Sequence, residues 1–137
     1  MKLTKSTDYA LRLLIYLAEQ SHLVTMKTLS AQLHIPYDNL TKIVQKLAKY
    51  QFVYTEQGKY GGVMMNKCAS MISLQDIITL IDGPTQLSEC QDNPKNCGLS
   101  CTCQLKHVFG SLEYKINQLF SEITIKDVMT HECTKTV

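Results

Sequence analysis

Four of the six cysteines fall within fourteen residues, spaced Cys90-x6-Cys97-x3-Cys101-x-Cys103. Thiolates are soft anionic ligands, and three or four on one loop can converge on zinc, Cu(I) or an iron–sulfur cluster. A structural zinc site usually takes two close cysteine pairs. Here the close pairs, 97/101 and 101/103, share Cys101. Loose spacing on a long loop better suits the larger footprint of an iron–sulfur cluster. Incidental thiols are the plain alternative, and the local density argues against it. Cys68 and Cys133 stand apart and read as packing or incidental residues. The surrounding stretch, 83–103, carries Pro84, Pro94, Gly98 and several Asn and Asp. A loop of about twenty residues is unusual in a compact domain unless it has a task.

Other reactive constellations are missing from the sequence. His22, His34, His107 and His131 are scattered, and no nucleophile is paired with a base. Gly58 to Gly62 is too short for a nucleotide-binding loop and lacks the strand–loop–helix setting. The expectation is a protein that is not an enzyme.

The elements that must carry the loop read as follows. A first helix spans about Ser6 to Glu19, with Ser6 or Thr7 as its cap and Ala10, Leu13, Leu14 and Leu17 at helical spacing. A short helix from Met26 to Leu33 is followed by a break at His34-Ile35-Pro36. Pro36 suits the start of a third helix, with Leu40, Ile43, Val44, Leu47 and Ala48 on one face and Lys42, Lys46 and Lys49 elsewhere. Two helices joined by a tight turn form a helix-turn-helix pattern. Phe52–Thr55 and Val63–Asn66 then flank a Gly-rich turn and read as a hairpin, a wing with Lys59 and Tyr60 at its tip. Gly58, Gly61 and Gly62 would allow close backbone approach to a phosphate. A fourth helix runs from Ser73 to Asp82, with a capping-box pattern at Ser73 and Asp76.

A last long helix is expected from Gln104 to Glu122. Leu105, Phe109, Leu112, Ile116, Leu119 and Ile123 alternate by four and three, as in a short coiled-coil seam. The rest of the chain is too small to cover so long a stripe, which predicts a homodimer paired through this helix. Packing on its own domain is the alternative. The tail after Thr124 is expected to form one more turn around Asp127 and then fray. The fold class is therefore mainly α with a small β-hairpin wing: a winged helix-turn-helix plus a long dimerisation helix. Three segments are expected: 1–82 as a DNA-binding domain, 83–103 as the cysteine loop, and 104–137 as dimerisation helix and tail.

Length and charge agree with that division. The chain has 137 residues, 45% apolar and 19% charged, enough for one domain with a buried core. Residues 1–67 hold nine basic and four acidic groups, net +5, against net −3 for residues 68–137. A basic N-terminal half suggests a polyanionic partner, here double-stranded DNA. No apolar run approaches the ~20 residues of a membrane span, and no signal-peptide pattern is found. The expected compartment is the cytoplasm, where disulfides are not maintained and no membrane partner is called for.

These residues resemble a known family, the small iron–sulfur winged-helix regulators typified by NsrR and IscR, the Rrf family. The likeness runs from Met1 to about Thr130. It rests on Leu3-Thr4 and Thr7-Asp8-Tyr9-Ala10-Leu11-Arg12, on the wing Gly58-Lys-Tyr-Gly-Gly62, on Ser73-Leu-x-Asp76-Ile-Ile, and on spaced cysteines ending Cys103-Gln-Leu-Lys106. Thr7-Asp8-Tyr9 and the ending Cys-x-Leu-Lys look closest to the nitric-oxide-sensing branch. The resemblance implies Cys90, Cys97 and Cys103 as cluster ligands, with Asp8 of the other protomer as the fourth. Cys101 is an extra thiol, and His107 is a lower-ranked candidate. It also implies a 4Fe–4S cluster, with 2Fe–2S as the alternative, a repressor of transcription, and nitric oxide as signal. Tyr37, Asn39 and Thr41 would meet base edges; Lys42, Lys46 and the wing's Lys59 and Tyr60 would meet the backbone.

Two departures stand out. The recognition helix opens Tyr37-Asp38-Asn39 where the nitric-oxide branch tends to open Arg-Asn-His, so an Arg able to pair with guanine is missing and a carboxylate is present. The x6 spacing after Cys90 is also longer than typical. Two rival readings stay open: a regulator of the same fold that reads cluster supply, and a zinc or thiol redox module that contacts proteins.

Overall fold

A computed structural model describes residues 1–88, 98 and 103–129. The chain runs α1 (Lys5–Ala18), α2 (Met26–Leu33), α3 (Tyr37–Lys49), β1 (Val53–Glu56), β2 (Gly62–Met65), a single 3₁₀ turn at Ala69–Met71, α4 (Leu74–Asp82), α5 (Gln104–Glu122) and α6 (Ile125–Met129). The winged-helix architecture expected from the sequence is present. Element ends fall within a residue or two of the predicted ones.

Helix α1 lies at the centre. Ala10, Leu13, Leu14 and Leu17 are fully buried, and the helix packs on α2, α3, α4, α6 and β2. Each buried Leu contributes roughly 1.5–3 kcal/mol of transfer free energy. Its cap differs from expectation. The N-cap is Thr4, not Ser6 or Thr7; the Thr7 amide donates to Thr4 Oγ1 at 3.3 Å. Thr7 is instead buried.

The α2–α3 turn is made by His34 in the left-handed region, φ 53°, while Ser30 Oγ donates to the Ile35 carbonyl at 2.7 Å. Ile35 plugs into the core at 2% exposure. Helix α3 buries Leu40, Ile43, Val44 and Leu47 and leaves its other faces to solvent. β1 and β2 pair antiparallel, Val53 opposite Met65 and Glu56 opposite Gly62. The hairpin is moored to the α1–α2 connection by two bonds between Val24 and Val63, at 2.9 and 2.8 Å. The capping box at α4 forms as expected from Ser73 and Asp76.

After α5 the chain returns to the core. Leu74 N donates to Ile123 O and Ile125 N to Ile72 O, both at 2.9 Å, and Ile125 is fully buried. Helix α6 packs on α1 and on the 3₁₀ turn. The C-terminal segment thus contributes to the same core as the winged helix. Ile125→Ala is expected to lower unfolding free energy by about 2–5 kcal/mol, the usual cost of truncating a buried Ile. Urea denaturation checks this; a loss below 0.5 kcal/mol, on the order of a surface substitution, would contradict the packing.

Candidate functional site

The surface of α3 divides into three. Directly opposite the buried face lie Asp38, Lys42, Gln45 and Lys49, all exposed, since one residue advances the helix by about 100°. On the side toward the wing lie Tyr37, Thr41 and Ala48. On the other side lie Asn39 and Lys46. The sequence-predicted contacts are therefore not all on one face: Tyr37, Thr41 and Lys42 share the wing-side and outer faces, while Asn39 and Lys46 flank them. Thr41 Oγ1 donates to the Tyr37 carbonyl at 2.9 Å, so its proton is engaged within the helix and its free lone pairs can only accept. Pro36 caps α3 with no side-chain bond, which leaves the first-turn amides open.

Between α3 and the wing is a cleft of about 720 Å³. Its polar lining includes Thr25, Lys27, Tyr37, Thr41, Gln45, Glu56, Gln57 and Lys59. Lys27 and Gln45 are absent from the sequence-based set. The signal for Lys27 was its place beside the α2 cap, Thr25, whose Oγ1 accepts from the Thr28 amide at 3.2 Å. The signal for Gln45 was its i+4 spacing from Thr41. At the wing tip Tyr60 is 86% exposed, with the Lys59 ammonium 5.7 Å from its ring centre.

The wing glycines have a different cause from the one expected. A Cβ at Gly61 would stand 2.0 Å from the Glu56 carbonyl oxygen, and one at Gly62 would stand 2.6 Å from that of Val24. Those two positions are small because the protein's own backbone passes there. Of the three wing glycines, Gly58, at φ 102°, is the one with open space around it.

The expected cluster residues are partly described. Asp8 lies exposed in the first turn of α1 and forms an ion pair with Arg12, one turn on. The Arg12 guanidinium also sits 5.7 Å from the Tyr9 ring centre. Cys103 is the N-cap of α5, a half-buried free thiol. Cys90, Cys97 and Cys101 lie outside the described residues. Among the described residues no three His, Cys, Asp or Glu side chains converge. His107 is exposed on α5.

Around this region the helices are tied together by side chains. Asp82, the last residue of α4, accepts from the Thr4 amide at 3.2 Å and from the Thr4 hydroxyl. Beyond α4, the Leu87 amide donates to Glu113 Oε1 at 2.6 Å, which fastens the start of the cysteine loop to α5. Helix α5 itself packs on α4. Phe109 and Ile116 are half-buried, whereas Leu105, Leu112, Leu119 and Ile123 are 60%, 42%, 61% and 40% exposed. Val108 joins that stripe at 52%.

Comparison with known proteins gives a consistent picture. Residues 3–131 match the family model for Rrf2, described as an iron-dependent transcriptional regulator. The chain is 33% identical to an HTH-type transcriptional regulator NsrR of Bacillus licheniformis, covering 96% of this chain and 94% of that one. Among solved structures, the global cysteine regulator CymR of B. subtilis superposes with a TM-score of 0.77 at 18% identity, covering 96% and 98%. IscR of T. potens superposes at 0.74 and 18% identity, covering 94% and 86%. These relatives are transcriptional regulators, not enzymes. The two structural likenesses establish the winged-helix fold alone. Among the described residues no helix is long and apolar enough to cross a membrane.

The Asp82 contact sets a pH dependence. Burial pushes its carboxyl up, but bonds from Thr4 and the charge of Lys46 outweigh it and hold the carboxyl below its ordinary value of 3.8. The fold therefore favours the ionised form, and the resulting stability is present above that ordinary value and lost as pH falls through the lower, folded one. Asp82→Asn is expected to reduce stability at pH 7 by a few tenths of a kcal/mol, as for other exposed contacts, with the difference vanishing in acid. Thermal unfolding of both proteins at pH 7 and pH 3 measures this; an equal difference at both would refute it.

Proposed function

This chain belongs to the Rrf2 family of transcriptional regulators, and from that premise we propose that it is a cytoplasmic, homodimeric repressor that binds an operator in double-stranded DNA and senses nitric oxide through an iron–sulfur cluster. The observation that carries the DNA reading is the solvent-facing α3 beside a cleft that Lys27 and Lys59 flank. In a dimer the two α3 helices would enter major grooves about one helical turn, roughly 34 Å, apart. Lys42 and Lys59 anchor phosphates, and Tyr60 contributes at the wing. Lys46 and Asn39 lie on the flank and make at most peripheral contacts.

The exposed stripe of Leu105, Val108, Leu112, Leu119 and Ile123 supports pairing through α5. A contiguous apolar strip of this kind is rarely left to water in a monomer. Phe109 and Ile116 sit at its edge, half-buried.

The donor set fits a cluster. Cys103 offers a free thiol with no cap bond to give up, and Asp8 offers an accessible carboxylate. Cys90 and Cys97 complete the thiolate set of this proposal, with Cys101 in reserve. When bound, a 4Fe–4S cluster supplies iron that reacts with nitric oxide. The protein's part is played by Asp8. Here its carboxylate pairs with Arg12, so ligation across the dimer competes with that pair. A carboxylate is a hard ligand for a site otherwise made of soft thiolates, and the bond it makes is readily given up. Asp8 stands four residues from Thr4, where α1 is fastened to α4, so a change at Asp8 reaches the helix that packs on α3.

The deciding experiment is an absorption spectrum with iron and sulfide analysis on protein purified without oxygen, followed by nitric-oxide titration and DNA binding. A brown protein bleached by nitric oxide, with loss of operator binding, is expected. A colourless zinc protein would move the reading to a zinc or thiol module. Two variants sharpen the result. Asp8→Ala is expected to keep the dimer and lower cluster retention at least tenfold. An unchanged cluster and unchanged nitric-oxide response would remove Asp8 from the scheme and favour the cluster-supply reading through His107. Lys59→Ala is expected to weaken binding to all duplexes about equally and to reduce the slope of log K against log salt by about 0.9. An unchanged slope would place Lys59 away from phosphate.

A further inference from the structure

Given the DNA-binding reading on which it rests, we infer that Asp38 is a specificity-determining residue of the interface, selecting cytosine or adenine at one major-groove position of each half-site and rejecting guanine. Asp38 is the second residue of α3, exposed, and lies directly opposite the buried Leu40–Leu47 face. The N-terminal residues of a recognition helix are the ones that reach base edges. Among the described residues the carboxylate has no ion pair, although Lys42 lies one turn along the same face. No arginine occurs on α3. The outer face therefore presents one anionic acceptor, the ammonium groups of Lys42 and Lys49, and the amide of Gln45.

Major-groove chemistry then restricts what Asp38 can face. A carboxylate only accepts hydrogen bonds. Cytosine offers its N4 amino group and adenine its N6 amino group, whereas guanine shows two acceptors, O6 and N7, and thymine shows O4. A guanine at this position would set two acceptors against a charged acceptor with no donor between them. The carboxylate also faces the phosphates of any duplex, so it weakens binding to sequences that repay it with no amino group. Specificity here comes from rejecting the wrong base as much as from contacting the right one. A role confined to the helix is the competing account, since an acid near an N-terminus favours the helix dipole. That account predicts a change in stability and none in base preference.

The test uses the full chain purified without oxygen and a random-sequence duplex library. Wild-type protein is expected to select C or A at one position, symmetric in the two half-sites, with guanine there at least tenfold weaker in equilibrium binding. Asp38→Ala is expected to flatten that position while leaving the others unchanged. Asp38→Asn keeps the shape and gains a donor, and is expected to shift the position to adenine, the bidentate partner of an amide. The same base profile for all three proteins, with binding retained, would overturn the inference and leave the DNA reading standing. Guanine selected at the position lost in Asp38→Ala would overturn it too. Failure of wild-type protein to bind any duplex would overturn both.

Discussion

Burial of α1 is the constraint on which everything else depends. Ala10, Leu13, Leu14 and Leu17 form one wall of a core to which α2, α3, α4, β2 and α6 each contribute. A helix enclosed on so many sides cannot rotate or slide without opening several contacts at once, because close-packed interiors yield little. Its one solvent-facing edge carries Asp8 and Arg12. Whatever engages Asp8 therefore pulls on the element that holds the rest, and not on a peripheral loop.

Helix α3 shows how stability and recognition are divided. Its core side is closed by four aliphatic residues, which fix its axis. Its outer side is left with few bonds of its own. Thr41 spends its proton on Tyr37, and Pro36 provides no side-chain cap. Such a helix depends on tertiary packing for its stability, as short helices in water generally do. The outward side chains are then free to answer to a partner. The wing follows a similar logic at the level of backbone: close passages at Gly61 and Gly62 shape the turn, and Lys59 and Tyr60 are carried on it.

The legible and illegible features differ by range. Periodicity located α1 to α5 because each has one apolar stripe, and the Ser73–Asp76 box marked the start of α4 because both partners lie within one turn. Local rules point to Ser6 or Thr7 as the cap of α1, whereas the cap is Thr4. What selects Thr4 is Asp82, 78 residues away. Ile125 resembled any residue of a fraying tail until Ile72 and Ile123 gave its segment backbone partners. The wing glycines looked like openings for phosphate because nothing in the sequence says that Glu56 and Val24 pass so close. On α3, alternation separated buried from exposed positions, but only the wing's placement separates Thr41 from Asn39. Lys27 and Gln45 join the lining of the cleft only through the fold, which sets α2 and α3 beside the wing.

The same long-range contact suggests how the two ends of the molecule share one state. Asp82 ends α4 immediately before the cysteine loop, and it holds the Thr4 cap of the helix that carries Asp8. Lys46, on the flank of α3, acts on the same carboxylate through its charge. One acidic group thus meets the loop's root and α1, and feels the charge of α3. A carboxylate at a helix C-terminus opposes the macrodipole, so its place there is not explained by α4 itself. It is explained by the partners it gains. Each contact is exposed and weak alone. Their value lies in sharing an acceptor: one carboxylate holds both the amide and the hydroxyl of Thr4, and so fixes the cap of α1 against the end of α4.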